Sequence, residues 1–493
     1  MATDKTSKNV YYISLIIVII IAVWGLVFSS NFARMSNSLL SFLTVNFGWL
    51  YLIAMFVFVV VALFLGLSRY GGIKLGPDDS EPEFKTISWF AMLFGAGMGI
   101  GLVFWGLSEP ISHLASHASP GTDAAASFAM GASFKHWGIH PWANYAIIGL
   151  ALAYFQFRKG YPGLISSIFV PLIGEKGARG PIGQIIDILA VFATIGGVAT
   201  SLGLGTLQIN GGLHYAFGLP ANALTQIIII AVITVLYIGT AISGIEKGIK
   251  LLGDINLYLA GTLVVLTFLV GPKLIMLKSF SEGLGVYLNN FIVDSLHLNI
   301  LGENAWVNGW TIFYWAWWIA WAPFVGTFIA RISKGRTIRE FVLGVIVAPA
   351  LASLLWFAVF GGLGLSLLDK LGIETLAEMA KVPETALFIA YGQYGLTLVL
   401  SIITVVLLVT FFVTSANSAT FVLGMFSSGG DLNPPTSKKL LWGIVLALLA
   451  TALLLSGGLV ALQTASIAAA FPFIFIMLFA CVAIFKALAT EKL

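Results

Sequence analysis

Apolar runs of about 20 residues recur along the whole of this 493-residue chain, and short polar connections separate them. A bilayer core about 30 Å thick takes roughly 20 apolar residues per helix, so the pattern predicts membrane-spanning helices rather than strands. Twelve are drawn, at 11–29, 47–67, 86–107, 136–157, 182–206, 223–241, 253–271, 310–330, 341–366, 395–425, 440–457 and 464–488. The first run has no small-residue cleavage site behind it and leads into a second span, so it reads as a retained helix. The stretches before the first span and after the last are short, which leads us to expect no soluble sensor domain. Two connections, 272–309 and 367–394, are long for a compact bundle and hold amphipathic pieces such as LDKLGIETLAEMAKV. Such pieces form surface helices over a vestibule.

Composition agrees with this pattern. The chain is 59% hydrophobic and 9% charged, with mean hydropathy +0.99, whereas a soluble chain carries about 25% charged residues. An even number of spans puts both termini on one side. With both inside, the inner segments hold 19 of the 25 Lys and Arg, among them Arg69, Lys74, Arg158, Lys159, Arg331, Lys334, Arg336 and Arg339. The outer face holds Arg34, Lys135, Lys273, Lys278, Lys370 and Lys381. Short loops that retain Lys and Arg stay cytoplasmic, so both termini are expected in the cytoplasm of a cell whose inner (plasma) membrane the chain crosses. The net charge of +4 reflects this bias and gives no reason to invoke nucleic acid. The single cysteine, Cys481, excludes an internal disulfide and reads as packing.

Glycine, 53 residues in all, clusters inside apolar runs at FGAGMGIGL, ATIGGVATSLGLG and FGGLGL. Small residues let helices pack closely, which accounts for such clusters as well as a functional role does. The first cluster differs because Gly95, Gly97, Gly99 and Gly101 alternate and fall on every side of a helix. That pattern points to backbone that leaves regular helix, tolerated at membrane depth only beside a cavity or inside protein. Freed carbonyls there can hold a cation, and a broken helix near the midplane marks a transporter site.

Aromatic residues make the second constellation. Trp310, Phe313, Tyr314, Trp315, Trp317, Trp318, Trp321 and Phe324 fall within fifteen residues. A membrane-interface belt accounts for Trp310 and extends to Trp315, but not to the deeper rings. Trp317 and Trp321 share a helix face at i, i+4, and Trp318 shares its face with Trp315 and Trp321. Core packing alone would also give such a stripe. Trp137, Trp142 and Tyr145 add rings at the start of span four. Ring faces attract a quaternary ammonium, which has no hydrogen to donate, by about 0.5 to 2 kcal/mol per good contact. The acids Glu109, Asp187, Glu246 and Asp254 fall near span ends, so the deep site offers rings rather than carboxylates.

Three segments, GMGIGLVFWGLSEP (97–110), HWGIHPWANYA (136–146) and WAWWIAWAPFVGTFIARISKGRTIREF (315–341), closely resemble the betaine/carnitine/choline transporters, and the likeness runs along essentially the whole chain. The resemblance implies an all-α membrane protein of 12 transmembrane helices. Two inverted five-helix repeats, spans three to seven and eight to twelve, would follow two extra helices. The chain then divides into residues 1–85 (N-terminus and two peripheral helices), 86–271 (first repeat), 272–309 (outer connection), 310–488 (second repeat) and 489–493 (short tail). It also implies a homotrimer in the lipid bilayer and secondary import of a compatible solute, glycine betaine foremost, by sodium symport and alternating access, with no cofactor beyond the coupling ion.

Carried over by motif, Trp137, Trp142, Tyr145 and Trp318 resemble the box around the trimethylammonium group. Trp317 and Trp321 resemble the tryptophans on the cytoplasmic side of the path, with Trp321 placed to meet the substrate carboxylate. Met98, Gly99 and Gly101 lie in the segment that resembles the family's unwound stretch. Proton-coupled choline carriers place an aspartate at the position of Gly101, so glycine there favours a zwitterion that brings its own carboxylate. Thr414 and Ser415, with carbonyls of Gly95, Met98 and Phe411, match the family's main sodium site, and such oxygens are hard ligands for that ion. Hydrogen bonding to their own helix is the alternative role for both hydroxyls. The family's second sodium site uses two threonines one turn apart and a phenylalanine. This chain keeps Thr194 and Phe324 but departs from it at Val198, which has no oxygen to offer. Sodium-independent members use an arginine in place of the ion, and spans three, five, eight and ten contain none.

Other readings remain within transport and outside it. Carnitine, choline or another betaine analogue would also suit the rings, and a more distant alternative is an amino-acid symporter. HLASH (113–117) and HWGIH (136–140) have the i, i+4 spacing of a His-box membrane oxidase. Six histidines in all, two of them isolated at His214 and His297, are too few for that chemistry.

Overall fold

A computed structural model of the protein describes residues 2–97, 99–242 and 246–491. Its α-helices are α1 Ala2–Val27, α2 Ser29–Leu67, α3 Thr86–Gly97, α4 Ile100–Ser116, α5 Asp123–Trp137 and α6 Ile139–Ala153. There follow α7 Val170–Ala178, α8 Pro181–Phe217, α9 Ala223–Ile242, α10 Glu246–Val270, α11 Lys273–Asn289 and α12 Phe291–Leu296. The last are α13 Phe313–Arg331, α14 Ile338–Leu365, α15 Leu368–Lys381, α16 Pro383–Gly392, α17 Thr397–Phe426 and α18 Thr436–Leu488. Among the described residues, nine helices are long and apolar enough to cross a membrane. Three predicted spans have no such helix of their own. Spans three and four are built in pieces, α3 with α4 and α5 with α6, while spans eleven and twelve fall within α18 on either side of Gly458 (φ 55°, ψ −131°).

The outer surface is apolar where lipid would lie: Val235, Tyr258 and Val265 of α9 and α10 are all more than half exposed. A solvent-facing helix would not present such a face. Within the bundle, α8 packs along α18 and α17, and α13 packs against α6, α8 and α18. Glycines of the second cluster serve this packing, since a Cβ on Gly196 would come within 2.5 Å of Ala469 and one on Gly203 would strike Leu462. In the third cluster a Cβ on Gly361 would stand 2.9 Å from Pro110 and one on Gly364 3.1 Å from Ile111.

Several boundaries differ from those the sequence predicts. Residues 30–46, expected as a connection, are helical, and α2 runs 39 residues from Ser29 after a turn at Phe28 (φ −121°, ψ 48°). At 1.5 Å per residue that is about 58 Å, so one end projects well beyond a bilayer core. Span four does not begin at 136, because Gly138 (φ −88°, ψ −124°) separates α5 from α6. The long connections do carry helices. α11 packs on α5 and α14, α15 on α4, and α16 on α8.

The first glycine cluster interrupts its helix. Regular helix stops at Gly97, Gly99 is extended (φ −157°, ψ −145°), and helix resumes at Ile100. Nearby, the loop after α2 pairs with the loop before α14: Leu75 N donates to Arg336 O (2.8 Å), Gly335 N to Leu75 O (2.9 Å) and Ile338 N to Ile73 O (2.8 Å). The Arg336 guanidinium lies 4.0 Å over the Trp89 ring and donates to Phe84 O at 2.7 Å. Thr337 and Glu340 form a capping box that starts α14.

Candidate substrate site

The joint between α5 and α6 places the first rings. A Cβ on Gly138 would stand 2.6 Å from Phe134 O and 2.8 Å from the Tyr287 hydroxyl, so only glycine fits the bend. The Tyr287 hydroxyl accepts the backbone N–H of Ile139 at 3.0 Å, satisfying a donor freed at the start of α6. Pro141 falls in the first turn, where its missing N–H costs nothing. Trp137 therefore ends one helix while Trp142 and Tyr145 stand on the next.

The structure brings the predicted rings together. Trp137 meets Trp318 edge-to-face at 4.9 Å between centroids and Trp317 at 6.2 Å. Trp317 stacks on Trp318 at 5.0 Å and 11°, Tyr145 meets Trp318 at 6.3 Å, and Trp142 reaches the group through Tyr145 at 5.6 Å. Trp321 joins Trp317 at 6.5 Å and Phe324 at 5.5 Å. All are buried. Among the described residues, the Tyr145 hydroxyl and the Trp321 indole N–H have no hydrogen-bond partner. Trp315, to which we extended the interface belt, is instead fully buried and stacks on His140 at 4.8 Å. A ring with no exposed surface cannot face the membrane interface, so it packs in the core.

Two glycines admit the rings. A Cβ on Gly101 would strike the Trp317 ring and stand 3.1 Å from Trp137. One on Gly197 of α8 would lie 2.5 Å from Trp321, and Gly197 O accepts Trp317 Nε1 at 3.4 Å. The ring cluster thus abuts the start of α4, just past the helix break.

The proposed sodium ligands are placed unevenly. Met98 lies outside the described residues. Ser415 of α17 faces the break, its Oγ 3.9 Å from where a Cβ on Gly99 would stand. Thr414 Oγ1 donates toward Thr410 O and Phe411 O at 2.9 and 3.1 Å and accepts Asn256 Nδ2 at 3.0 Å. Phe411 is buried, and Gly95 is exposed with open space around it. In α8, Thr194 Oγ1 donates to Ala190 O at 2.8 Å, and Val198 is fully buried. Thr200 faces away, bonded to Leu462 O and Ser466 of α18.

Sequence reasoning missed Glu109, which it placed near a span end without a role. Its buried carboxylate lies within 3.2 Å of His113 Nε2, His136 Nδ1, Trp137 Nε1 and Tyr314 Oη. The signal was present, since Glu109 and Trp137 both belong to the motifs that drew attention, but their meeting needs the tertiary fold. The two HxxxH pairs do not form two boxes. His117 accepts from Ser119 N, and His140 pairs with Ser295. His113 and His136 meet at Glu109 instead, with ligand-type atoms within 4.8 Å of one another.

Long apolar helices with a lipid-compatible surface, bundled around a buried aromatic cluster beside an interrupted helix, define a multi-pass membrane protein. Residues 9–493 match the betaine/carnitine/choline family transporter model. The chain is 48% identical to the glycine betaine transporter OpuD of Bacillus subtilis (strain 168), over 99% of this chain and 96% of that protein. It is also 48% identical to a probable glycine betaine transporter of Desulfitobacterium hafniense (strain Y51), over 100% and 99% of the two chains. An ectoine/hydroxyectoine transporter of Virgibacillus pantothenticus is 44% identical over 96% and 95%. The chain belongs to the betaine/carnitine/choline transporter family, and it is a transporter rather than an enzyme.

Proposed function

We propose that the protein imports glycine betaine by sodium symport, through alternating access to the cluster formed by Trp137, Tyr145, Trp317 and Trp318. The observation that carries this reading is the convergence of Trp137 and Trp317 on Gly101. No side chain fits there beside those rings, so the positive head group has aromatic faces for company and the substrate must supply its own negative charge. The unpartnered Trp321 indole N–H and Tyr145 hydroxyl are available donors for that carboxylate. The glycine betaine relatives support the same substrate.

Sodium coupling is supported by the Ser415 hydroxyl at the helix break, with Gly95, Phe411 and Thr414 as the remaining described ligands. One ion is our reading, because Val198 removes an oxygen from the second set with Thr194 and Phe324. Twelve spans accord with the nine long helices, the two built in pieces and the interrupted α18. Cytoplasmic termini accord with the Lys and Arg bias, and two inverted repeats and a homotrimer follow from likeness to the family.

The test is uptake of labelled glycine betaine into proteoliposomes under an inward sodium gradient. Uptake that vanishes in potassium supports the proposal, and equal uptake in both salts overturns the coupling. A second reading is an ectoine-type zwitterion, favoured by the 44% identical relative. Competition by unlabelled ectoine stronger than by unlabelled betaine would favour it.

A further inference from the structure

We propose that Glu109 is a positioning residue for the ring cluster, its carboxylate fixing Trp137 and Tyr314 in the orientation that a quaternary head group meets. The inference rests on the betaine reading above.

Donor bookkeeping leads there. Trp137 Nε1 donates to Oε2 at 2.8 Å and Tyr314 Oη to the same oxygen at 2.5 Å. Oε1 faces His113 Nε2 at 3.2 Å and His136 Nδ1 at 2.7 Å. The neighbours set both tautomers. Trp306 Nε1 donates to His113 Nδ1 at 3.3 Å, which leaves the His113 proton on Nε2. A carboxylate only accepts, so His136 presents its Nδ1 proton to Oε1, and its Nε2 takes the hydroxyl proton of Thr311 at 2.9 Å while Lys135 Nζ donates to Thr311 Oγ1 at 3.2 Å. Four donors thus converge on one carboxylate, which has about four acceptor sites.

This arrangement excludes two other roles. A metal ion on the same three residues would need bare nitrogens toward Glu109 and would turn a His113 Nδ1 proton against the Trp306 N–H. Nor is Glu109 the counter-ion of the substrate, since its oxygens are already occupied. What it controls is ring orientation. Glu109 stands on α4, Trp137 on α5 and Tyr314 on α13, so a single side chain ties three helices. An indole held by its N–H cannot turn about its Cβ–Cγ bond, which keeps Trp137 edge-on to Trp318 at 4.9 Å and 76°. Tyr314, held the same way, lies nearly parallel to Trp318 at 5.9 Å and 20°. Tyr314, part of the aromatic run of span eight but not of the box drawn from it, is accordingly a further wall of the cluster.

The experiment compares betaine uptake kinetics of Glu109→Gln, Tyr314→Phe and Trp137→Phe, singly and in pairs, normalised to monodisperse protein. An amide presents two donors where the carboxylate presented only acceptors, so one pair of partners is orphaned. Loss of a charge-assisted hydrogen bond predicts a KM raised about tenfold in Glu109→Gln and a smaller rise in Tyr314→Phe, with maximal rate per folded transporter little changed. Adding Glu109→Gln or Tyr314→Phe to Trp137→Phe should raise KM by less than either does alone, because these residues act on the same ring geometry. A purely structural role would lower the yield of folded transporter and leave KM alone. Unchanged KM in the variants, or strictly additive effects, overturns the inference while the wild type still takes up betaine. Should Glu109→Gln fail to fold, Tyr314→Phe and its pair with Trp137→Phe decide by the same criteria. A wild type that takes up no betaine overturns the function above and this inference with it.

Discussion

Trp318 donates its indole N–H to the backbone carbonyl of His136 at 3.0 Å, so a ring in the middle of α13 is fastened to the last turn of α5. The same residue's carbonyl accepts Asn144 Nδ2 of α6 at 2.8 Å. Three helices therefore share one residue as a common fixture, and the face that Trp318 turns toward Tyr145 and Trp137 is set by bonds at both its ends.

Replacing Trp318 with Leu removes this ring and its bond to His136. With at least one cation–π contact of about 0.5 to 2 kcal/mol lost, betaine KM should rise tenfold or more while the protein stays monodisperse in detergent. Wild-type KM in Trp318→Leu would show that the rings are packing alone.

Gly101→Ala places a methyl group against the Trp317 ring. Overpacking of this kind costs about 1 to 3 kcal/mol, so the thermal midpoint should fall and uptake should be lost together. A variant of unchanged stability and rate would mean that the rings do not rest against α4 as described.

Ser415→Ala should raise the sodium concentration needed for half-maximal uptake several-fold, and Val198→Thr should move the sodium dependence from one ion toward two. The latter change restores a hydroxyl one turn from Thr194 in a fully buried position. Sodium titrations of uptake rate read both effects, and a Hill coefficient that stays near its wild-type value in Val198→Thr counts against a latent second site.

Glu491 gives a pH dependence. It accepts Arg158 Nη2 at 2.8 Å, Lys159 Nζ at 2.7 Å and the Tyr154 hydroxyl at 2.6 Å, and the Arg158 bond foremost holds its carboxyl down at about 2 from an ordinary 4.5. A depressed carboxylate stabilises the fold above pH 4.5, and that contribution fades as pH falls from there toward 2. Wild type should therefore melt higher than Glu491→Gln at pH 6, by no more than about 1 kcal/mol after solvent screening. The gap should narrow as pH falls below 4.5 and close only near pH 2. A gap of constant size across this range would remove Glu491 as its cause.

Long apolar periodicity made α8, α13, α14 and α17 legible, because twenty-residue runs have few other uses. The break at Gly97 to Ile100 was legible too, since alternating glycines leave no helix face to pack. Hidden from the sequence were features that depend on distant partners. The bend at Gly138 needs Tyr287 to cap it, and the role of Glu109 needs α5 and α13 folded beside α4. Likewise nothing in the sequence beside Thr414 announces that its hydroxyl accepts Asn256 Nδ2 from α10.

The pairing of Ile73 and Leu75 with residues 335–338 has a mechanical corollary. Through Arg336, which also holds Phe84 O, it ties the start of α3 to the start of α14, while α4 is seated against α5, α15 and α16. A rod held at both flanks yields most readily where its lattice is interrupted, so bending strain imposed on this pair of segments falls on Gly99, two residues before the Gly101 on which Trp317 and Trp137 rest.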